Sequence, residues 1–132
     1  MTILVDASVW IDFFNGSPSP EAIFLRENLG RRRFIVGDLI LAEVLQGFRQ
    51  QTHFTVAADA MQKFPVVSLV GQRMAVLSAR NYRYLRSQGV TIRSTIDCLV
   101  ASFCIANEIS LLHSDRDYSN FEQLLRLKVL HP

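Results

Sequence analysis

Four carboxylates lie where carboxylates are costly. Asp6 ends the apolar run Ile3-Leu4-Val5, and Glu43 lies inside Leu39-Ile-Leu-Ala-Glu-Val-Leu45. Asp97 is the only charged residue between Ser94 and Asn107, and Asp115 follows Leu111-Leu-His-Ser114. A buried carboxylate is unfavourable unless it is paired, protonated or bound to metal. Several close together also repel one another and raise each other's pKa. A divalent cation removes both problems, and carboxylate oxygens are natural ligands for Mg²⁺ or Mn²⁺. A metal held in this way commonly works on phosphate esters, where it activates water and steadies developing charge. Each acid also has a plainer reading. Asp6 can cap a helix, Asp115 can open a turn, and Glu43 and Asp97 can pair with buried arginines. Spacing alone does not bring the four together.

The elements that must position them follow from the apolar pattern. Strands are expected at 2–6, 34–36, 65–67, 110–113 and 127–130. Helices are expected at 9–14, 21–29, 39–48, 56–63, 71–87, 95–107 and 121–125. Ser8 reads as the N-cap of the first helix and Asp38 as the cap of the third. Pro20 suits the first turn of the second. Short apolar strands alternating with helices predict an α/β fold in three layers, a central parallel sheet of about five strands flanked by helices. Sites in such sheets form at the carboxyl ends of strands. Asp6 and Asp115 both follow strands, so convergence is expected.

The 132 residues suit one domain, taken as 1–132. Hydrophobic residues at 49% and charged residues at 20% exclude a disordered chain. No run approaches the roughly 18 apolar residues of a membrane span. No basic, then apolar, then small-residue pattern marks an export signal at the N-terminus. Cys98 and Cys104 are six residues apart, about 9 Å along a helix, which is too far for a disulfide. Reduced core thiols and a cytoplasmic location are therefore expected.

Four segments carry a family pattern: Val5-Asp6-Ala-Ser8-Val-Trp-Ile-Asp12, Leu41-Ala-Glu43-Val, Thr95-Ile-Asp97-Cys-Leu-Val-Ala101 and Leu112-His-Ser-Asp115-Arg-Asp117-Tyr. Together and in this order they resemble the PIN-domain nucleases, and within these the VapC toxins of bacterial type II toxin–antitoxin pairs. The resemblance runs from residue 3 to about 130. It implies an endoribonuclease dependent on Mg²⁺ or Mn²⁺ that cuts tRNA or ribosomal RNA. It also implies a VapB-like antitoxin partner, a homodimer, and a heterotetramer or larger assembly with the antitoxin. By motif, Asp6, Glu43, Asp97 and Asp115 match the acidic catalytic and metal site. Asp117 matches a further acid, and Ser8 matches a hydroxyl that hydrogen-bonds near the metal. Two departures stand out. Asp38 replaces a common Ser or Thr, and Tyr118 replaces a common Phe; neither is expected to touch the metal ligands. Asp12 is expected on the outer face of the first helix, and His113 as a strand-end histidine rather than a general base.

Twelve of the fourteen basic residues are arginine, and arginine's planar fork suits phosphate and base stacking. The net charge is +2, but the eight acids outside the proposed site leave the rest of the chain at +6. No acid lies between Asp59 and Asp97, whereas that stretch holds Lys63, Arg73, Arg80, Arg83, Arg86 and Arg93. Arg73, Arg80 and Arg83 share one sector of the 71–87 helix and are candidate RNA contacts, with Tyr82 and Tyr84 nearby to stack on bases. Met74, Leu77 and Leu85 form the expected core-facing sector. Trp10, Phe13, Phe14, Ile23, Phe24 and Leu25 exceed what two short helices can bury, and their surplus suits a partner groove.

Three other functions fit parts of the pattern. A PIN-fold RNA-processing nuclease outside a toxin–antitoxin pair would keep the same acids. A non-catalytic RNA-binding module would not need them. A phosphotransfer or receiver-like domain would use Asp6 as nucleophile, but Ser8 stands where a second Asp is wanted and no late strand-end lysine follows.

Overall fold

The structure, a computed structural model, describes residues 1–132. Four strands, β1 (Thr2–Val5), β2 (Arg33–Gly37), β3 (Val66–Val67) and β4 (Ser110–Leu112), form one sheet in the order β3-β2-β1-β4. Every pairing is parallel. Seven helices connect or flank the strands: α1 (Ala7–Asn15), α2 (Pro20–Glu27), α3 (Asp38–Gln46), α4 (Gln51–Met61), α5 (Gln72–Ser87), α6 (Thr95–Asn107) and α7 (Ser119–Leu125). A 3₁₀ turn at Arg116–Tyr118 leads into α7. α1 packs on α2 and α3, and α5 packs on α6 and α7. No helix is long and apolar enough to cross a membrane.

β1 is the hub of the sheet. Its neighbours are β2 and β4, so Ile3, Leu4 and Val5 are wholly buried and nearly every residue there is apolar. Parallel strands of this kind read as continuous hydrophobic runs, which is why they were visible in the sequence. The expected last strand shrinks to a single bridge between Leu111 and Val129. Leu111 N–H donates to the Lys128 carbonyl at 2.8 Å, and Leu130 N–H donates to the Leu111 carbonyl at 2.9 Å.

Some boundaries differ from the sequence expectation. Asp6, not Ser8, caps α1, because the chain leaves β1 extended at Asp6 and its carboxylate accepts the Ser8 N–H. Asp38 is the first residue of α3, and its Oδ1 accepts from Leu39 N–H at 2.8 Å and Leu69 N–H at 3.1 Å. α4 begins at Gln51, five residues ahead of expectation, with no side-chain cap to announce it. On α5 only Leu85 of the three expected core residues is fully buried; Met74 and Leu77 are half-buried. Gly37 ends β2 where a Cβ would collide with the Leu69 side chain, so its small size lets that loop close on the sheet.

Cys98 and Cys104 are free, buried thiols on α6, as expected. Burial raises the pKa of Cys104, and nearby Asp6 adds to the rise. The Cys104 thiol is therefore packing rather than chemistry.

Candidate active site

The end of β1 is held from both sides, which fixes Asp6 in space. Asp6 N–H donates to the Leu112 carbonyl at 2.9 Å, tying it to the end of β4. Asp6 Oδ2 accepts from Ser8 N–H at 3.1 Å and from the Ser8 hydroxyl at 2.6 Å. Ser8 Oγ in turn accepts from Ser114 N–H at 3.1 Å. Ser8 thus links the start of α1 to the loop after β4. The remaining oxygen, Asp6 Oδ1, accepts from the Tyr118 hydroxyl at 2.8 Å. Asp6 is only 4% exposed, and both its oxygens are satisfied.

Asp97 reaches the same place from α6. It is the third residue of that helix, and its N–H donates to the Ser94 hydroxyl at 3.2 Å. Asp97 therefore lies in the first turn, where a carboxylate is favoured by the helix dipole. That help does not offset its surroundings. Burial first, then the charges of Asp6 and Asp115, push the Asp97 pKa up to about 6, against a lowering by the Tyr118 hydroxyl.

Asp115 caps the 3₁₀ turn, with Oδ1 accepting from Asp117 N–H at 3.0 Å. Its own N–H donates to His113 Nδ1 at 3.1 Å. The carboxylates of Asp97, Asp115 and Asp117 offer oxygens that all lie within 4.8 Å of one another. Asp6 adjoins this group through the Tyr118 hydroxyl, which also lies 3.3 Å from Asp97 Oδ1. Glu43, in the middle of α3, lies outside the triplet. Its pKa is raised by burial and by Asp6, which marks it as a neighbour of the cluster.

The plain readings of Asp6 and Asp115 therefore hold alongside convergence: each caps an element and each faces the cluster. The arginine reading of Glu43 and Asp97 fails. The only ion pair in the structure joins His131 Nε2 to Glu122 at 2.9 Å, far from these acids in sequence. Acids gathered with no basic partner, offering only hard oxygen donors, fit a hard divalent cation such as Mg²⁺ or Mn²⁺.

The other predicted residues divide clearly. Asp12 Oδ2 accepts from the Ser114 hydroxyl at 3.4 Å, a bond that braces α1 against the β4 loop. Burial lowers the His113 pKa, and its Nδ1 accepts from Asp115 N–H, which helps shape the loop after β4. Trp10 is core, 1% exposed and ringed by Phe13, Phe14 and Phe64. Phe14 and Phe48 instead line an open groove with Arg49, His53 and Val56. Arg73, Arg80 and Arg83 are all exposed on α5, and Tyr84 is exposed beside them. Tyr82 is half-buried under the Arg86 guanidinium, 5.7 Å away.

Tyr118 is the residue that sequence reasoning missed. It was expected to stay clear of the acids, yet its hydroxyl touches two of them. The sequence carried little signal, because Tyr118 lies in the polar run Ser114-Asp-Arg-Asp-Tyr-Ser-Asn120; it is burial in the fold that obliges its hydroxyl to find a partner.

The chain is similar to known proteins over nearly its whole length. A family model described as the PIN domain matches residues 3–124. Ribonuclease VapC11 of Mycobacterium tuberculosis is 27% identical over 128 residues, covering 96% of both chains. Among solved structures, VapBC2 from Rickettsia felis, bound to a DNA fragment from its promoter, aligns with a TM-score of 0.78 at 16% identity, covering 98% of each chain. Mycobacterium tuberculosis VapC20, a sarcin-ricin loop cleaving toxin, aligns with a TM-score of 0.65 at 16% identity, over 89% of this chain and 92% of that one.

Proposed function

The chain belongs to the PIN-domain family, and on that premise we propose that it is a metal-dependent endoribonuclease, the toxin of a VapBC-type toxin–antitoxin pair. The observation that carries the reading is the gathering of Asp97, Asp115 and Asp117 within 4.8 Å, beside Asp6, with no basic side chain to neutralise them. Asp6, Glu43, Asp97 and Asp115 would hold one or two Mg²⁺ or Mn²⁺ ions, with Asp117 a fifth carboxylate and Ser8 orienting Asp6. When bound, such an ion acidifies the attacking water and offsets charge developing on the phosphate.

The rest is done by the chain. Glu43 lies at the margin of the cluster, where burial and the charge of Asp6 raise its pKa, which favours it as the carboxylate that accepts the water's proton. Ser8 holds Asp6 still through two hydrogen bonds while charge shifts around it. The exposed arginines Arg73, Arg80 and Arg83 bind neighbouring phosphates and align the RNA strand for in-line attack.

The substrate is a structured cytoplasmic RNA, tRNA or ribosomal RNA; the structurally similar VapC20 is a sarcin-ricin loop cleaving toxin. The buried free thiols suit a reducing compartment. A VapB-like antitoxin silences the toxin, and toxin dimers join antitoxin in a heterotetramer or larger complex. The solved relative from Rickettsia felis is itself a VapBC complex.

The test is cleavage of total RNA by the purified chain with Mn²⁺ or with a chelator, followed by sequencing of the cut ends. Cuts at discrete sites that vanish with chelator and with Asp97→Asn are expected. Cleavage at the normal rate by Asp97→Asn would sink the proposal.

A further inference from the structure

One buried hydroxyl joins the two halves of the acidic cluster. Tyr118 is 0% exposed, and its hydroxyl sits 2.8 Å from Asp6 Oδ1 and 3.3 Å from Asp97 Oδ1. Its backbone N–H donates to the Asp115 carbonyl at 3.3 Å. A single residue therefore contacts acids that enter from β1, from α6 and from the loop after β4. Its ring cannot drift. His113 lies against one side, with centroids 4.8 Å apart, and Phe121 lies 6.2 Å away.

The chemistry of a phenol at this point is specific. Two carboxylates this close repel each other, and a donor between them offsets that repulsion by sharing its one proton. Each carboxylate oxygen has two lone pairs, so a hydrogen bond to Tyr118 leaves one for a cation. Phenylalanine would fill the same ring volume and supply no proton. Burial and the two carboxylates also keep the Tyr118 pKa well above its ordinary value, so the hydroxyl stays a donor.

We propose that Tyr118 is a positioning residue whose hydroxyl sets the separation of Asp6 and Asp97 and so preorganises the cluster for a divalent cation. The inference rests on the proposed metal site and adds to it a residue that touches the ligands and not the ion. Ordering two carboxylates before the cation arrives reduces what binding must supply. Residues that orient metal ligands typically change affinity by about 10–100-fold when removed.

The decisive measurement is calorimetric titration of Mn²⁺ into the wild-type chain and into Tyr118→Phe, alongside RNA cleavage across a range of Mn²⁺ concentrations. Tyr118→Phe should bind Mn²⁺ about 10-fold more weakly. Its cleavage rate should return to within about threefold of wild type at saturating Mn²⁺. Equal Mn²⁺ affinity in the two proteins would overturn the inference and leave the metal site standing. A rate loss that saturating Mn²⁺ does not restore would also overturn it. A wild-type chain that binds no Mn²⁺ would overturn the metal site and this inference together.

A second measurement needs no substitution at Tyr118. The chain has three tyrosines, Tyr82, Tyr84 and Tyr118. In protein labelled with 3-fluorotyrosine, with resonances assigned through Tyr82→Phe and Tyr84→Phe, Mg²⁺ should shift the Tyr118 fluorine signal and leave the other two in place. An unmoved Tyr118 signal at saturating Mg²⁺ would overturn the inference.

Discussion

Asp6 and Asp97 face each other across one hydroxyl, yet the chain treats them differently. Asp6 is the more buried, at 4% exposed, and accepts three hydrogen bonds, two from Ser8 and one from Tyr118. Asp97 is half-buried and receives only the longer share of the Tyr118 hydroxyl, at 3.3 Å. Burial and the charges of Asp6 and Asp115 raise the Asp97 pKa to about 6. The two carboxylates differ in the donors aimed at them, and a buried carboxylate with few donors is the costlier arrangement. One half of the cluster is completed by the protein; the proposed ion would complete the other.

The largest expected effect falls on the incomplete half. Asp97→Asn should lower RNA cleavage by more than ~100-fold, beyond the loss typical for a residue that only orients a ligand. The same substitution should raise the melting temperature of the metal-free protein, because it removes a repelled charge. If melting instead falls sharply, Asp97 is a structural acid and the contrast with Asp6 collapses.

The pH dependence of stability sharpens the comparison further. The folded Asp97 pKa, about 6, lies above its ordinary 3.8, so folding disfavours the ionised form. The stability this group contributes is full below about pH 4 and is lost as pH rises through about 6. Thermal melts in chelator should show that loss, Asp97→Asn should flatten it, and Mn²⁺ at pH 7 should reverse it in proportion to the logarithm of its concentration.

On the completed half, Ser8→Ala removes a short hydrogen bond to Asp6 and the acceptor of Ser114 N–H. Urea unfolding should show a loss of about 1–2 kcal/mol. A change under a few tenths would mean that Ser8 does not hold the corner together. The smallest effect is expected on the exposed face of α5. Arg80→Ser with Arg83→Ser should weaken RNA binding a few-fold and reduce its salt dependence by about one to two phosphate contacts. Filter binding at two salt concentrations would read it, and an unchanged salt slope would remove α5 from the RNA surface.

Much of this was legible in the sequence. The parallel strands showed as unbroken apolar runs, and α6 showed as a helix because its apolar stretch, 95–107, is too long for a strand. The acids stood out because their neighbours are hydrophobic. What stayed hidden was local chemistry with no pattern of its own. α4 starts at Gln51 without a capping side chain, so nothing in the residues marks its first turn. Asp6 took the cap that Ser8 suggested, because the exit angle of β1 decides which oxygen meets the free N–H. Tyr118 looked like a replacement for phenylalanine, and only the packing of its ring revealed where its hydroxyl ends. Glu43, in turn, was grouped with the other acids by motif, while the structure sets it at their margin.

The hydrogen bond from Tyr118 to Asp6 spans 112 residues of chain. Asp6 is made long before Asp115, Asp117 and Tyr118. Contacts of such long sequence separation form late, after the intervening loops have closed. A chain still on the ribosome carries one acid of the cluster early but has no partner with which to finish it. Cleaving power should therefore arrive only after Asp115, Asp117 and Tyr118 have been made, and a chain truncated before Asp115 should fail to cut RNA.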